Sequence, residues 1–284
     1  MNVIAEQHAH EIAQGERFAF GKNWTAFLNV VDEDRIRRAE RSLTEMLEVE
    51  DLSGKRFLDI GSGSGLFSLA ARRLGATVTS FDFDTNSVEC TNALRHRYCP
   101  DDRQWNIEQG SVLDELLIAR LGKFEIVYSW GVLHHTGKMW LALEHAARCV
   151  ENGGLLFIAI YNDSGSRSER WRRIKSMYCR LPRVLKTPFA LAVSTPTEIK
   201  RFLGYVLRGR PSGYFEESKY YWNSRGMNRW HDLIDWVGGY PYEFAGPSKL
   251  FKFFRDRGFK LVNMKCDNVG LGCNEMVFKR ELSS

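Results

Sequence analysis

The sequence predicts an α/β fold: a doubly wound, mostly parallel seven-stranded sheet with a helical, basic and aromatic insertion after the fifth strand. From residue 56 to 160, short apolar segments alternate with segments of helical periodicity, which is typical of successive βαβ units. Gly61, Gly63 and Gly65 lie at the first strand-to-helix junction. Near the end of the chain, two strand-like segments flank a glycine-rich loop, which predicts an antiparallel pair at the sheet edge.

Composition indicates an ordinary globular protein. The 284 residues are 44% hydrophobic and 26% charged, and no stretch reaches the roughly 18 consecutive apolar residues of a membrane span. The six cysteines form no C-x-x-C pair, so we expect reduced residues that serve packing. These features predict a cytoplasmic protein.

The first strand, turn and helix predict a site for a nucleotide-like ligand. Phe57–Ile60 is short and apolar, and Leu66, Leu69 and Ala70 recur at helical spacing. A turn of this kind brings backbone N–H groups and a helix N-terminus close to the ligand. A dinucleotide site would have glycine or alanine at the position of Leu66. Asp59, two residues before the first glycine, repels a pyrophosphate and attracts an ammonium group, which favours S-adenosylmethionine (SAM) over NAD.

Asp59 to Gly65 resembles motif I of the class I SAM-dependent methyltransferases, which have a Rossmann-like core. Within that family, Lys22-Asn23-Trp24 and Val132-Leu133-His134-His135 are similar to segments of the isoprenoid-quinone O-methyltransferases. The resemblance covers residues 55–160 and 247–280, and it implies methyl transfer from SAM.

The N-terminal region, residues 1–54, is predicted to contain a lid and a helix. An aromatic cluster comes first: Phe18, Phe20, Trp24 and Phe27. This cluster either completes the core or, as the resemblance implies, closes the cofactor pocket. An amphipathic helix then runs from the N-cap Asp32 to Glu50 and should pack beside the sheet.

The second and third strands supply the rest of the predicted cofactor site. Thr77–Phe81 ends at Asp82, where a carboxylate can accept hydrogen bonds from both ribose hydroxyls, with Asp84 as the alternative. A helix over residues 85–98 and the strand Trp105–Gln109 come next. The resemblance places Ser111, which follows this strand, at the adenine, although many relatives carry Asp at this position. The predicted cofactor-binding residues are Asp59, Gly61, Ser62, Gly63, Asp82, Phe83, Ser111, Val112, Ser129 and Trp130.

The fourth and fifth strands, Phe124–Ser129 and Leu155–Ile160, flank a predicted helix over residues 139–150. The ends of both strands should face the same crevice as the glycine turn, because parallel sheets bind ligands at the carboxyl ends of their strands. A general base is needed only for a protonated acceptor such as a phenol. The candidate catalytic residues are His134, His135 and Tyr161.

Residues 164–246 interrupt the βα pattern. Between Gly165 and Arg210, twelve Lys or Arg accompany two Glu, a net charge of +10 in a chain whose total is +5. Two helical stretches, Ser168–Arg180 and Phe189–Leu207, are predicted there, the first with an apolar face made of Trp171, Ile174, Met177 and Tyr178. They form either a solvated hairpin or a basic amphipathic surface for anionic lipid or a greasy substrate.

The rest of the insertion is predicted to form the wall of the acceptor site. It is rich in aromatic and paired polar residues, from which we predict three substrate-binding residues: Arg225, His231 and Tyr240. A metal held by His231, Asp232 and Asp235 is the alternative use of that segment, but the same spacing is typical of a solvated helix face, so we predict no metal site.

A final helix from Pro247 to Arg257 and the strands Gly258–Met264 and Glu275–Lys279 complete the predicted core. The expected organisation is a lid and helix over 1–54, a SAM-binding core over 55–163 and 247–284, and the insertion over 164–246.

The sequence thus predicts an enzyme, a SAM-dependent methyltransferase for a small-molecule acceptor, by O-methylation of an aromatic or lipidic substrate. The alternative is an RNA-modifying methyltransferase that uses the basic insertion, although nucleic acid is the less favoured partner. A non-catalytic SAM-binding protein and a different SAM-dependent transfer also stay open. The basic segment 165–210 adds peripheral contact with an anionic membrane surface as an alternative to a purely cytoplasmic location.

Overall fold

The structure is a computed structural model. It describes residues 3–21, 28, 30–214, 216, 229–266 and 270–282, with the backbone alone at 3 and 229–232.

A single seven-stranded sheet forms the centre of the described chain, in the order β3-β2-β1-β4-β5-β7-β6. The first five strands run parallel, and β7 pairs antiparallel with both β5 and β6. This topology confirms the predicted fold class. The strands are β1 (Arg56–Ile60), β2 (Thr77–Asp82), β3 (Trp105–Gln109), β4 (Phe124–Trp130), β5 (Val150–Tyr161), β6 (Phe259–Lys265) and β7 (Cys273–Arg280).

Helices connect the strands and build the insertion. Those of the N-terminus and the core are α1 (Val3–Ala13), α2 (Glu33–Leu47), α3 (Leu66–Arg73), α4 (Thr85–Tyr98), α5 (Glu115–Leu121), α6 (Met139–Arg148) and α10 (Pro247–Arg255). Those of the insertion are α7 (Ser166–Arg180), α8 (Arg183–Leu207) and α9 (Arg229–Gly238). None of the helices in the described ranges combines the length and the apolar character needed to cross a bilayer.

Two boundaries differ from the sequence prediction by five residues or more. The fifth strand begins at Val150 rather than at Leu155, because Val150 already pairs with Phe124 of β4; the register shifts before Leu155 pairs with Ile126. Helix α8 begins at Arg183, directly after Pro182, rather than at Phe189.

Apolar side chains cover both faces of the sheet, since neighbouring strand residues point to opposite sides. Leu58 and Val127 pack in a cluster with residues of α6 and α10. Phe57 and Ile126 pack on the other face with residues of α2 and α3. The two faces together fix the strand ends at one edge of the sheet, where the candidate site lies.

The insertion packs as a smaller cluster of its own. Tyr178 and Cys179 of α7, Ala190 of α8 and Val237 of α9 are buried together. The predicted apolar face of α7 was wrong in one position: Met177 is 55% exposed, whereas the lysine two residues earlier is fully buried. The reason is that α9 covers the Lys175 side of the helix and leaves Met177 uncovered.

Candidate active site

The turn after β1 has a backbone that glycine allows. Gly61 has φ +80°, and a Cβ added there would lie 2.4 Å from Val132 Cγ1 on the opposite wall. Gly65 takes the left-handed conformation as the N-cap of α3. The turn therefore leaves space at the carboxyl end of β1 that a larger residue would fill.

Asp82, at the end of β2, bonds across to this turn. Its Oδ2 accepts a hydrogen bond from the Gly63 N–H at 2.9 Å, and its Oδ1 accepts one from the Asp84 N–H at 2.9 Å. Burial raises the pKa of the Asp82 carboxyl to about 6. A pyrophosphate would need free N–H donors in this turn. The Gly63 N–H instead donates to the Asp82 carboxylate, so the turn presents negative charge at that place.

Asp59, within β1, is part of a buried polar network. Its carboxylate accepts a hydrogen bond from Ser68 Oγ at 2.5 Å; Ser68 in turn bonds Ser80, whose Oγ accepts the Trp105 indole N–H at 2.8 Å. Burial raises the pKa of Asp59 to about 7. The network fixes this carboxyl at the bottom of the glycine turn.

These groups line one cavity of about 330 Å³. Its walls come from the ends of β1, β2, β3 and β4, as the parallel topology requires. It contains all the predicted cofactor-binding residues except one: Asp59, Gly61, Ser62, Gly63, Asp82, Phe83, Ser111, Val112 and Trp130. The exception, Ser129, is fully buried and donates a hydrogen bond to the Ile60 carbonyl, so it joins two strands instead.

The N-terminal segment closes the cavity from the other side. Phe18 and Phe20 line it, together with His8 and Arg17. The Arg17 guanidinium lies 4.9 Å above the Phe83 ring and donates to the His135 carbonyl at 2.8 Å. The aromatic pair was among the predicted lid residues; Trp24 and Phe27 lie outside the described residues.

Asp84 ties the N-terminal segment to the core. Its Oδ2 accepts the Gly21 N–H at 2.8 Å and lies 3.7 Å from His8 Nε2. Its Oδ1 accepts the Asn86 N–H as the N-cap of α4. No sequence signal indicates His8 or Arg17, because neither belongs to a motif or a periodic face.

Of the three candidate catalytic side chains, His135 lines the cavity, and His134 and Tyr161 pack behind it. His135 Nδ1 lies 2.6 Å from the Pro241 carbonyl oxygen and must donate to it, so Nε2 is the unprotonated nitrogen of the neutral ring. Burial lowers the pKa of His135 to about 3. His134 is fully buried, and its Nδ1 accepts the Tyr161 N–H at 3.3 Å.

Lys175 is buried, although in the sequence it belongs to the basic residues that predict a charged surface for the insertion. Its side chain is fully buried, and its Nζ donates to the Trp236 carbonyl and lies 4.3 Å from the centre of the Trp236 ring and 5.0 Å from that of Tyr242. Tyr242 in turn packs against Tyr161 at 5.0 Å. Burial lowers the pKa of Lys175 to about 7. Lys175 lies one helical turn after Trp171 of the apolar face, and this spacing is the sequence signal that could have indicated its burial.

Of the three predicted substrate-binding residues, the structure describes the side chain of Tyr240, and it does not line the cavity. Tyr240 lines a separate surface cavity of about 500 Å³ with Arg172, Arg173 and Arg180 of α7. Arg225 lies outside the described residues, and so does the side chain of His231. Within the described ranges, no three His, Cys, Asp or Glu side chains converge where they could hold a metal ion.

Comparisons with known proteins agree with this architecture. Residues 31–188 match the protein family described as the methyltransferase domain. The ubiquinone biosynthesis O-methyltransferase of Brucella melitensis is 32% identical over 111 residues, 39% of this chain and 43% of that protein. The chain thus spans less than half the length of the curated relatives it matches.

Solved methyltransferase structures share this fold. Magnesium protoporphyrin IX methyltransferase from Synechocystis, with bound S-adenosylhomocysteine (SAH), superposes with a TM-score of 0.51 at 14% identity, over 87% of this chain and 83% of that chain. An O-methyltransferase family protein from Burkholderia thailandensis gives 0.54 at 13% identity, over 97% and 68%.

Proposed function

Because the chain belongs to the methyltransferase domain family, we propose that it transfers a methyl group from SAM to an oxygen of a small aromatic or lipidic acceptor. The observation that carries this proposal is the single cavity in which the glycine turn, Asp82 and His135 meet. O-methylation is supported by the name of the Brucella melitensis relative, ubiquinone biosynthesis O-methyltransferase.

The residues of the cavity suit SAM better than a dinucleotide. SAM carries a sulfonium and an ammonium group and no phosphate. Asp59 and Asp82 favour such cations, and the Gly63 N–H, which a pyrophosphate would require, is bonded to Asp82. Phe83 and the apolar side chains of the cavity offer a surface for the adenine, and we assign Asp82 to the ribose hydroxyls.

His135 is the candidate base for a hydroxyl acceptor. When bound, SAM supplies an electrophilic methyl group, and alignment of the acceptor oxygen in line with it can contribute about 7–11 kcal/mol. His135 Nε2 can take the hydroxyl proton, because Nδ1 is committed to the Pro241 carbonyl. A general base typically contributes about 10²–10⁴-fold, and a pKa near 3 favours the lower end of that range.

Calorimetry tests the cofactor, and a transfer assay tests the acceptor. We expect SAM and SAH to bind and NAD not to bind; binding of NAD, or of none of the three, would refute the cofactor assignment. Methyl-labelled SAM should then label a member of a panel of phenols, catechols and prenylated phenols. SAM binding without transfer to any acceptor would instead support a non-catalytic SAM-binding protein.

The second candidate is RNA modification, supported by the net charge of +10 between Gly165 and Arg210. Methyl label in tRNA, with retention that weakens steeply as salt rises, would favour it. The exposed surface of α8 fits this candidate less well, since much of it is apolar.

A further inference from the structure

Helix α8 has an apolar face that stays largely exposed within the described part of the chain, where Tyr214 contacts it at Phe202. Leu191, Ile199, Phe202, Leu203, Val206 and Leu207 are between 38% and 87% exposed. The buried positions of this 25-residue helix are Ala190 and Ser194, so it rests on the insertion by a narrow strip. Large apolar side chains clustered in this way mark an interaction surface.

The face is continuous and contains no charged residue. At about 100° per residue, the six side chains fall within an arc of about 160° around the helix axis. The charged residues of α8, which are Arg183, Lys186, Glu198, Lys200 and Arg201, all fall outside that arc. Helix α8 therefore has the wide apolar stripe of a core helix and exposes it.

The surroundings of this face are strongly basic. From Arg183 to Arg210 there are six Lys or Arg and one Glu, and that Glu198 accepts a hydrogen bond from Tyr214 Oη at 2.7 Å. Arg172 and Arg173, exposed on the neighbouring α7, add to the charge. A cationic rim around an apolar stripe is complementary to a surface with anionic headgroups above hydrocarbon.

We propose that α8 lies flat on an anionic lipid bilayer, with its apolar face in the acyl boundary and its lysines and arginines at the headgroups. At about 1.5 Å per residue the helix is about 37 Å long, enough to lie across several lipids. A second copy of the chain would oppose the same basic rims and repel, and RNA would leave the apolar face uncovered.

This proposal rests on the proposed function, because it concerns how the acceptor reaches the methyltransferase site. Helix α8 packs through Ala190 against Tyr178 of α7 and Val237 of α9, and α9 also carries Trp236, which contacts Tyr161 beside the cavity. The insertion cluster, Trp236 and Tyr161 therefore connect an α8 that lies on a bilayer to the residues beside the cavity. That arrangement suits an acceptor that partitions into lipid.

Vesicle flotation tests the proposal with the whole chain. We expect binding to vesicles of phosphatidylcholine mixed with phosphatidylglycerol to be at least tenfold tighter than to phosphatidylcholine alone. The double variant Leu203→Glu/Val206→Glu should lose at least tenfold, and Lys200→Gln/Arg201→Gln should lose severalfold. Leu116→Glu, which puts one such negative charge at an 82% exposed leucine of α5, should bind as the wild type does.

Three results would overturn the proposal. They are equal binding to both vesicle types, binding by Leu203→Glu/Val206→Glu that matches the wild type, and a dimer in solution that this double variant abolishes. Circular dichroism and SAM calorimetry on each variant keep the two hypotheses apart. Normal SAM binding without vesicle binding refutes only the docking surface, whereas vesicle binding without SAM binding refutes only the cofactor.

Discussion

Replacement of the buried Lys175 by methionine tests how far the interior of the insertion determines the protein's stability. Lys175→Met keeps the length and apolar stem of the side chain and removes the ammonium. In the folded protein, that ammonium has the Trp236 carbonyl and the Trp236 and Tyr242 rings as partners. The ionisable groups that act on it most are Cys179 on the same helix and Asp235 on α9.

The expected magnitude follows from the pKa of Lys175, which burial lowers from 10.5 to about 7. Between these values the unfolded chain holds a proton that the folded chain has lost, so the free energy of unfolding rises with pH. Each pH unit in that window adds about 1.4 kcal/mol to the free energy of unfolding. Because Lys175 of the folded protein is still half-protonated at pH 7, the gain between pH 7 and pH 9 is reduced to about 2 kcal/mol. This increment should be absent from Lys175→Met.

Urea unfolding at pH 7 and pH 9, followed by circular dichroism, measures the difference between the variant and the wild type. We expect the stability of Lys175→Met relative to the wild type to fall by about 2 kcal/mol between the two pH values. Lys55→Met, at an exposed lysine, should show no such change. The reasoning fails if Lys175→Met and the wild type gain the same stability from pH 7 to pH 9.

Three further predictions concern the cavity. Asp82→Asn should weaken SAM binding at least severalfold by calorimetry, and a larger effect of Asp84→Asn would move the ribose contact to Asp84. Gly61→Ala should weaken SAM binding at least tenfold, because its Cβ would lie 2.4 Å from a valine side chain; Gly54→Ala, with a similar φ of +72° and open space around it, should bind normally. His135→Ala should lower kcat about 10²-fold. Because burial lowers the pKa of His135 to about 3, the ring stays neutral at higher pH, and a wild-type kcat profile that bends near pH 6.5 and loses the bend in His135→Ala would contradict this assignment.

The part of the site that the sequence predicted is local. The glycine turn, Asp59 and Asp82 follow from strand ends and short spacings, and a parallel sheet brings such ends to one edge whatever the details of packing. The same logic explains the one exception: Ser129 is the last residue but one of β4, and its side chain points to the neighbouring strand rather than to the cavity.

Residues that the sequence could not assign depend on contacts between distant segments. His134 and His135 are adjacent in one 3₁₀ turn, yet only His135 lines the cavity, because the segment at Pro241 holds its ring there. Arg17 and His8 join the site only through the docking of the N-terminal segment on Asp84 and Phe83. No periodicity within either segment indicates these partners.

The sequence by itself determined the order of strands and helices, the glycine turn and the acidic strand ends, since each depends on backbone preferences and on apolar periodicity within a few residues. The tertiary structure decided which charges are buried and which apolar faces are exposed. Lys175 and the leucines of α8 belong to one basic, amphipathic stretch, but α9 covers the lysine and leaves the leucines open. Whether a side chain is buried depends on the element that packs against its face. A periodic pattern predicts the face but does not indicate which element packs there.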